Sequence, residues 1–193
     1  MYRVEGRARL LGSQRPIGDC ILRANRRSPY RAALPKKEVP LAPTPAPAVF
    51  RARIPVRFND IDRAGIVYYP NYFHYYHMAF EDFFAAAHGL PYPAWFDERG
   101  IGFPTVHVEG DFESPLRYGD ELEVELSVIR VGEASVEFAF RAVSPPPEGS
   151  DEAPRVAGRA RITKVCVGLE SVKPQPIPDD LRVVLDRYRQ DAS

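Results

Sequence analysis

From Arg51 onward the chain alternates apolar and polar residues, with Ala52, Ile54, Val56 and Phe58 set against Arg51, Arg53, Pro55 and Arg57. A strict period of two places one set on a core face and predicts a half-buried strand. Pro55 cannot donate to a ladder, so its backbone should face an unpaired side. A polar loop follows from Asn59 to Gly65, and the period then changes. Tyr72, Tyr75, Tyr76, Ala79, Phe80, Phe83, Phe84 and Ala87 fall at spacings of three and four, which predicts a long helix with a stripe of large rings. Pro70 suits its first turn, Gly89 its C-terminal cap, and Pro91 forbids continuation.

A short helical turn is expected over Pro93 to Arg99, after which alternation returns. Val106, Val108, Gly110 and Phe112 form one row, and Leu122, Val124, Leu126 and Val128 a second. Val136, Phe138, Phe140 and Ala142 form a third, and a further strand lies within Val156 to Val167. Gly119-Asp120 and Gly132-Glu133 mark turns, and Pro145 to Pro154 reads as a surface loop. A last helix, Pro178 to Arg189, has Leu181, Val184, Leu185 and Tyr188 on one face. The order of strand, long helix, then four strands is α+β, an antiparallel sheet wrapped around one central helix.

Composition refines this picture in three ways. The 193 residues are 45% hydrophobic and 11% aromatic, enough for a real core. The zero net charge conceals an asymmetry: residues 1–49 hold ten Lys/Arg against three Asp/Glu, and the remainder is acidic. An acidic body disfavours a nucleic-acid binder. Residues 24–49 are rich in Pro, Ala and Arg and cannot bury enough surface to offset the entropy of ordering, so residues 1–49 are expected to be a flexible extension ahead of a domain at 50–193. Cys20 and Cys166 are the only cysteines and read as reduced thiols, which makes a cytoplasmic setting the expectation. No apolar run is long enough to span a membrane, and no secretory signal is read at the N-terminus.

The run Phe58-Asn59-Asp60-Ile61-Asp62-Arg63-Ala64-Gly65-Ile66-Val67-Tyr68-Tyr69-Pro70-Asn71-Tyr72 resembles the signature of the 4-hydroxybenzoyl-CoA thioesterase family of hotdog proteins. Glu98-Arg99-Gly100-Ile101 and Ser114 to Leu122 resemble that family's next two segments, in order and at the expected intervals. The resemblance spans about residues 50–190. It implies a hotdog fold, a homodimer or homotetramer whose sheets join edge to edge, and acyl-CoA sites between subunits. It matches Asp62 to the catalytic carboxylate and the backbone N–H of Tyr69 to the group that polarises the thioester carbonyl. Gly65, Ile66, Val67, Tyr68 and Tyr72, around that loop and helix start, are the residues expected to line the substrate.

The residues support this chemistry independently. Thioester hydrolysis needs a nucleophile or activated water on one side of the carbonyl and charge stabilisation for its oxygen on the other. Asp62 precedes by seven residues the point where the helix begins, where free N–H groups and the positive dipole end gather. Pro70 has no N–H, so the donor is Tyr69 or a residue just past the proline. Gly65 lets the chain turn sharply between the two groups. Asp62 can attack the carbonyl or deprotonate water, and the sequence does not separate these routes. Asp60 and Asp62 also suit turn-shaping or capping roles, and that role is assigned to Asp60.

His74, His77 and His88 lack the further ligands a metal site requires, so neither metal nor cofactor is expected. His77 departs from the family, whose members usually carry an acid there. The tyrosine group 68, 69, 72, 75 and 76 is mostly core, with one or two rings available to favour an aromatic or medium-length acyl group. At the turn Gly132-Glu133-Ala134-Ser135 the family often places basic residues for coenzyme A phosphates. Glu133 has the wrong sign, which leaves an acyl carrier protein as an alternative donor. Arg130, Arg159, Arg161 and Lys164 are candidate substitutes, or else solvated charges on an exposed face.

Two other readings compete with hydrolysis. A hotdog hydratase or dehydratase would pair the acid with a histidine five residues on, where this chain has Val67. A non-catalytic acyl-thioester-binding protein would keep the pocket and lose the carboxylate, yet Asp62 is present.

Overall fold

The computed structural model describes residues 48–146 and 149–190. Most of the expected extension, residues 1–47, lies outside the described residues. Strand β1 (Phe50–Pro55) leads through a single 3₁₀ turn (Phe58–Asp60) and the loop to helix α1 (Pro70–Phe83). Helix α1 ends in one wide turn, Phe84–His88, closed by Gly89 at φ +84°. Then come α2 (Tyr92–Asp97), β2 (Ile101–Gly102), β3 (Thr105–Phe112), β4 (Glu121–Val131), β5 (Ser135–Ser144) and β6 (Arg155–Val165). The two-residue strands β7 (Val167–Gly168) and β8 (Lys173–Pro174) and helix α3 (Asp179–Arg187) complete the fold.

The five long strands form one antiparallel sheet in the order β1-β4-β5-β6-β3. Its inner face receives α1 because each strand's apolar row points the same way. Leu122, Val124, Leu126 and Val128 of β4 and Val136, Phe138, Phe140 and Ala142 of β5 are all buried, as their alternation predicts. The helix meets them with the predicted ring stripe: Phe80 lies 5.4 Å from Phe138, and Tyr76 5.2 Å from Phe140. Close approach also depends on Gly158. A Cβ there would sit 2.9 Å from the Asp111 carbonyl of β3 and 3.2 Å from the Tyr76 hydroxyl of α1, so any larger residue would crowd both the β3–β6 pairing and the helix.

The two sheet edges differ in character. On β1, Val56 N donates to Asp120 O, so the Pro55 nitrogen turns to the free side, as the sequence requires. Proline and exposed arginines blunt that edge. The β3 edge is eight residues long and exposed at every position. Val106, Val108 and Phe112, read from sequence as a half-buried row, are 60%, 42% and 50% exposed. Val108 and Phe112 face the helix side, and a register shift between Thr105 and His107 breaks the alternation at Val106. Phe58 also departs from expectation. The strand ends at Pro55, and the 3₁₀ turn swings Phe58 outward to 80% exposure, edge-on to Tyr118. A second sheet, β2-β7-β8, has strands of two residues each, too short to leave a period in the sequence.

Candidate active site

The loop between β1 and α1 is a miniature hairpin. Tyr68 N donates to Asp60 O (2.9 Å), Ile61 bridges Val67, and Asp62 N donates to Ile66 O (2.9 Å). Gly65, at φ +77°, turns the chain at its tip, where a residue with a Cβ would be strained. Asp60 is the structural carboxylate: it is buried, and its Oδ2 accepts from Arg57 N at 2.7 Å. The Asn71 side chain donates to Asp60 O (3.0 Å), clamping the helix start to the hairpin. Tyr75 lies beside Asp60, and burial, followed by that carboxylate, raises its phenol above the ordinary range.

Asp62 is half-buried, and its Oδ1 accepts from Ala64 N at 2.7 Å. That bond is the turn-shaping interaction such a loop favours, and it also fixes the direction of the carboxylate. Among the described residues Oδ2 accepts no hydrogen bond. The helix start is similarly selective. Tyr68 N is taken by Asp60 O, Asn71 N by Tyr68 O (2.8 Å) and Tyr72 N by Tyr69 O (3.2 Å), while Pro70 has no N–H. Tyr69 N is thus the one amide from 68 to 72 with no acceptor among the described residues. The sequence offers Tyr69 or a residue just past the proline as the candidate donor, and of these amides Tyr69 N is the one without an acceptor among the described residues.

The expected lining residues separate into two groups. Val67 and Tyr72 belong to the core: Val67 N donates to Leu116 O, and the Tyr72 hydroxyl donates to Ser114 O at 3.3 Å. Gly65, Tyr68 and Tyr69 are exposed, and Ile66 is half-buried. Phe112, which the sequence reading did not assign to the site, joins the group. Its ring lies 6.1 Å from Tyr69, 5.1 Å from Tyr72 and 6.3 Å from Phe73.

Lys164 corrects the sequence reading. The sequence offers it as a phosphate-binding candidate or else a solvated charge, but its even position in β6, in step with Ala160 and Ile162, turns it to the inner face, where it is 3% exposed. Its ammonium donates to Thr105 Oγ1 (3.0 Å) and lies 4.2 Å from the centre of the Phe80 ring. Burial pulls its pKa down from 10.5 to about 8, with Glu81 opposing. His77 Nε2 lies 3.0 Å from Glu81 Oε1, so an acid stands one turn beyond the position where the family usually has one. Burial, then Lys164, lowers the His77 pKa, and Glu81 opposes.

The other basic candidates are spoken for. Arg159 pairs with Glu113 (2.6 Å), Arg161 with Glu137 (3.4 Å) and Arg130 with Glu137 (3.9 Å). The turn at Glu133 does have a basic group beside it, because Arg182 of α3 donates to Gly132 O (2.9 Å) and Glu133 O (3.1 Å). Among the described residues no three His, Cys, Asp or Glu side chains converge as a metal site, and no helix is long and apolar enough to cross a membrane.

The depressed Lys164 pKa makes a prediction about stability. An unfolded lysine keeps its proton to about 10.5, whereas the folded one releases it near 8. The charge therefore opposes folding below pH 8, and that penalty, roughly 3 kcal/mol, lifts as pH rises from 8 to 10.5. Lys164→Met is expected to melt above the parent at pH 7. The gap should close across that pH interval in thermal melts of the two proteins.

Comparison with known proteins bears on this geometry. Residues 56–185 match the profile of the thioesterase-like superfamily, and the chain belongs to that superfamily as a hotdog-fold thioester hydrolase. It is 30% identical over 137 residues to a 1,4-dihydroxy-2-naphthoyl-CoA hydrolase of Nostoc punctiforme, covering 71% of this chain and 86% of that protein. A protein of the same description from Thermosynechococcus vestitus is 31% identical, covering 72% and 89% respectively. Among solved structures, a dynemicin thioesterase superposes with a TM-score of 0.65 at 25% identity, covering 75% of this chain and all of that one. A gentisyl-coenzyme A thioesterase does so with a TM-score of 0.59 at 27% identity, covering 70% and 98%.

Proposed function

We propose that this protein hydrolyses acyl-CoA thioesters with small or medium-sized, aromatic acyl groups, using Asp62 as nucleophile or general base and the Tyr69 N–H to hold the carbonyl oxygen. The observation that carries the reading is a pair of groups, one in the clamped hairpin and one where it meets α1, that are unengaged among the described residues. The carboxylate of Asp62 is oriented by one oxygen and free at the other, and the Tyr69 amide is the free donor at a helix N-terminus, where the dipole favours developing negative charge. The naphthoyl-CoA and gentisyl-CoA activities of the relatives support coenzyme A as the carrier and a ring as the acyl group. The ring group of Tyr68, Tyr69 and Phe112 beside the amide suits the same substrates.

The proposal assigns this activity to residues 50–193 in a cytoplasmic setting, with residues 1–49 an extension of separate role. It also takes the protein to be a homodimer or homotetramer joined through β3. An eight-residue exposed edge bearing Val106, Val108 and Phe112 is what a second copy would cover. Val106→Asp combined with Phe112→Asp is expected to convert the oligomer to a monomer in sedimentation velocity. The functional test is a panel of aromatic, short and medium acyl-CoA thioesters assayed for released thiol. Aromatic and medium members should be hydrolysed with kcat/KM of at least about 10⁴ M⁻¹s⁻¹. Absence of thiol release across the panel would exclude hydrolysis and favour the binding-only alternative.

A further inference from the structure

Burying an ammonium without a counter-charge is expensive, and proteins rarely keep one unless something pairs with it. Among the described residues Lys164 has no carboxylate hydrogen-bonded to its ammonium. Its one hydrogen bond among these residues is to the neutral Thr105 hydroxyl, and a ring face supplies the second contact. Glu81, the carboxylate that acts on it from α1, is instead in contact with His77. An ammonium has three N–H donors, so at least one is without an oxygen acceptor among the described residues. Lys164 also lines a cavity of about 160 Å³ whose other walls include Phe73, Tyr76, Val108 and Ile162. His77 and Thr105 also line it, and the buried Tyr76 hydroxyl has no partner among the described residues. A few buried polar groups in a small, largely apolar and aromatic cavity are how binding sites fix the orientation of a ligand.

The cavity shares a wall with the rings beside Tyr69. Phe73 is shared between its wall and the ring group around Phe112, which continues to Tyr69. From Tyr69 to Tyr76 the helix rises roughly 10 Å, at 1.5 Å per residue. An acyl group whose carbonyl sits at the Tyr69 amide would therefore direct its far end along α1 toward Lys164.

We infer that Lys164 is a specificity-determining residue: its ammonium receives an oxygen, as phenolate, hydroxyl or carboxylate, at the distal end of the acyl group. This rests on the acyl-CoA reading above and adds what kind of acyl group is selected. It also accounts for retaining a charge that weakens the fold, since a ligand oxygen would compensate for the lost hydration.

Two matched pairs separate the sources of that oxygen. The first is 4-hydroxybenzoyl-CoA against benzoyl-CoA, and the second is glutaryl-CoA against pentanoyl-CoA. In at least one pair the oxygen-bearing member should have the higher kcat/KM by about tenfold or more, the worth of one hydrogen bond to a charged group. In Lys164→Met that ratio should collapse to about one, within the same stated range of such a bond. Binding of the uncleavable ketone thioethers 4-hydroxyphenacyl-CoA and phenacyl-CoA, with the corresponding dicarboxylic and plain aliphatic ketone analogues, is measured by calorimetry alongside. Calorimetry needs no turnover, so it separates failure of the hydrolase reading from failure of this one. Loss of the affinity ratio in Lys164→Met supports the assignment even if no thioester is cleaved. Equal binding within both pairs to the parent protein, or a ratio that survives in Lys164→Met, overturns it.

Discussion

Asp62→Asn is expected to leave the fold intact and lower turnover by roughly 10²–10⁴, the range of a positioned acid–base group. The substitution is conservative in a specific sense. The Asp62 carboxylate holds its turn through one oxygen, which accepts from Ala64 N at 2.7 Å, and an asparagine carbonyl can accept the same bond. What asparagine lacks is charge and basicity. Melting temperature should therefore stay near the parent while thiol release falls. Unchanged turnover would leave Asp62 with the turn alone and remove it from the chemistry.

The second large effect concerns a backbone atom, and proline can delete it. Tyr69 has φ −52° and is the second residue of the hydrogen-bonded turn from Tyr68 to Asn71, a position where proline is favoured. Tyr69→Pro removes the free N–H at little conformational cost, and Tyr69→Ala removes the ring while keeping the N–H. Loss of one oxyanion donor lowers kcat by about 10²–10³. Tyr69→Pro should show that loss, and Tyr69→Ala should fall much less. Equal losses in the two variants would assign the role to the ring instead of the amide.

How far these sites were legible in the sequence depends on which force fixes each one. Helix α1 and strands β4 and β5 follow directly from periodicity, because their apolar rows are buried by contacts within the chain. The row on β3 has the same alternation, yet Val106 and Val108 remain exposed, since a pattern records that a surface will be covered but not by what. Phe58 continues the alternation of β1 but is turned out by a 3₁₀ turn that no apolar pattern announces. Lys164 shows the converse. Its charge argued for solvent, its parity in β6 argued for the core, and strand geometry prevailed because β5 and β3 flank it on both sides.

The Asp62 loop was readable through its resemblance to a signature, with Asp60 as the structural acid. Selecting Tyr69 N required knowing which neighbouring amides were occupied. That is a property of the three-dimensional hydrogen bonds, absent from residue types. Phe112 was missed for a related reason: forty residues separate it from Tyr72, and only the curl of β3 past the helix start brings the rings together.

A crystal structure with a bound 4-hydroxyphenacyl-CoA thioether tests the central arrangement most directly, because its ketone occupies the place of the thioester carbonyl. The ketone oxygen should lie about 2.7–3.1 Å from Tyr69 N, with the free oxygen of Asp62 approaching the carbonyl carbon from the opposite side. A ketone seated away from that amide, or an Asp62 side chain directed away from the ligand, would contradict the account.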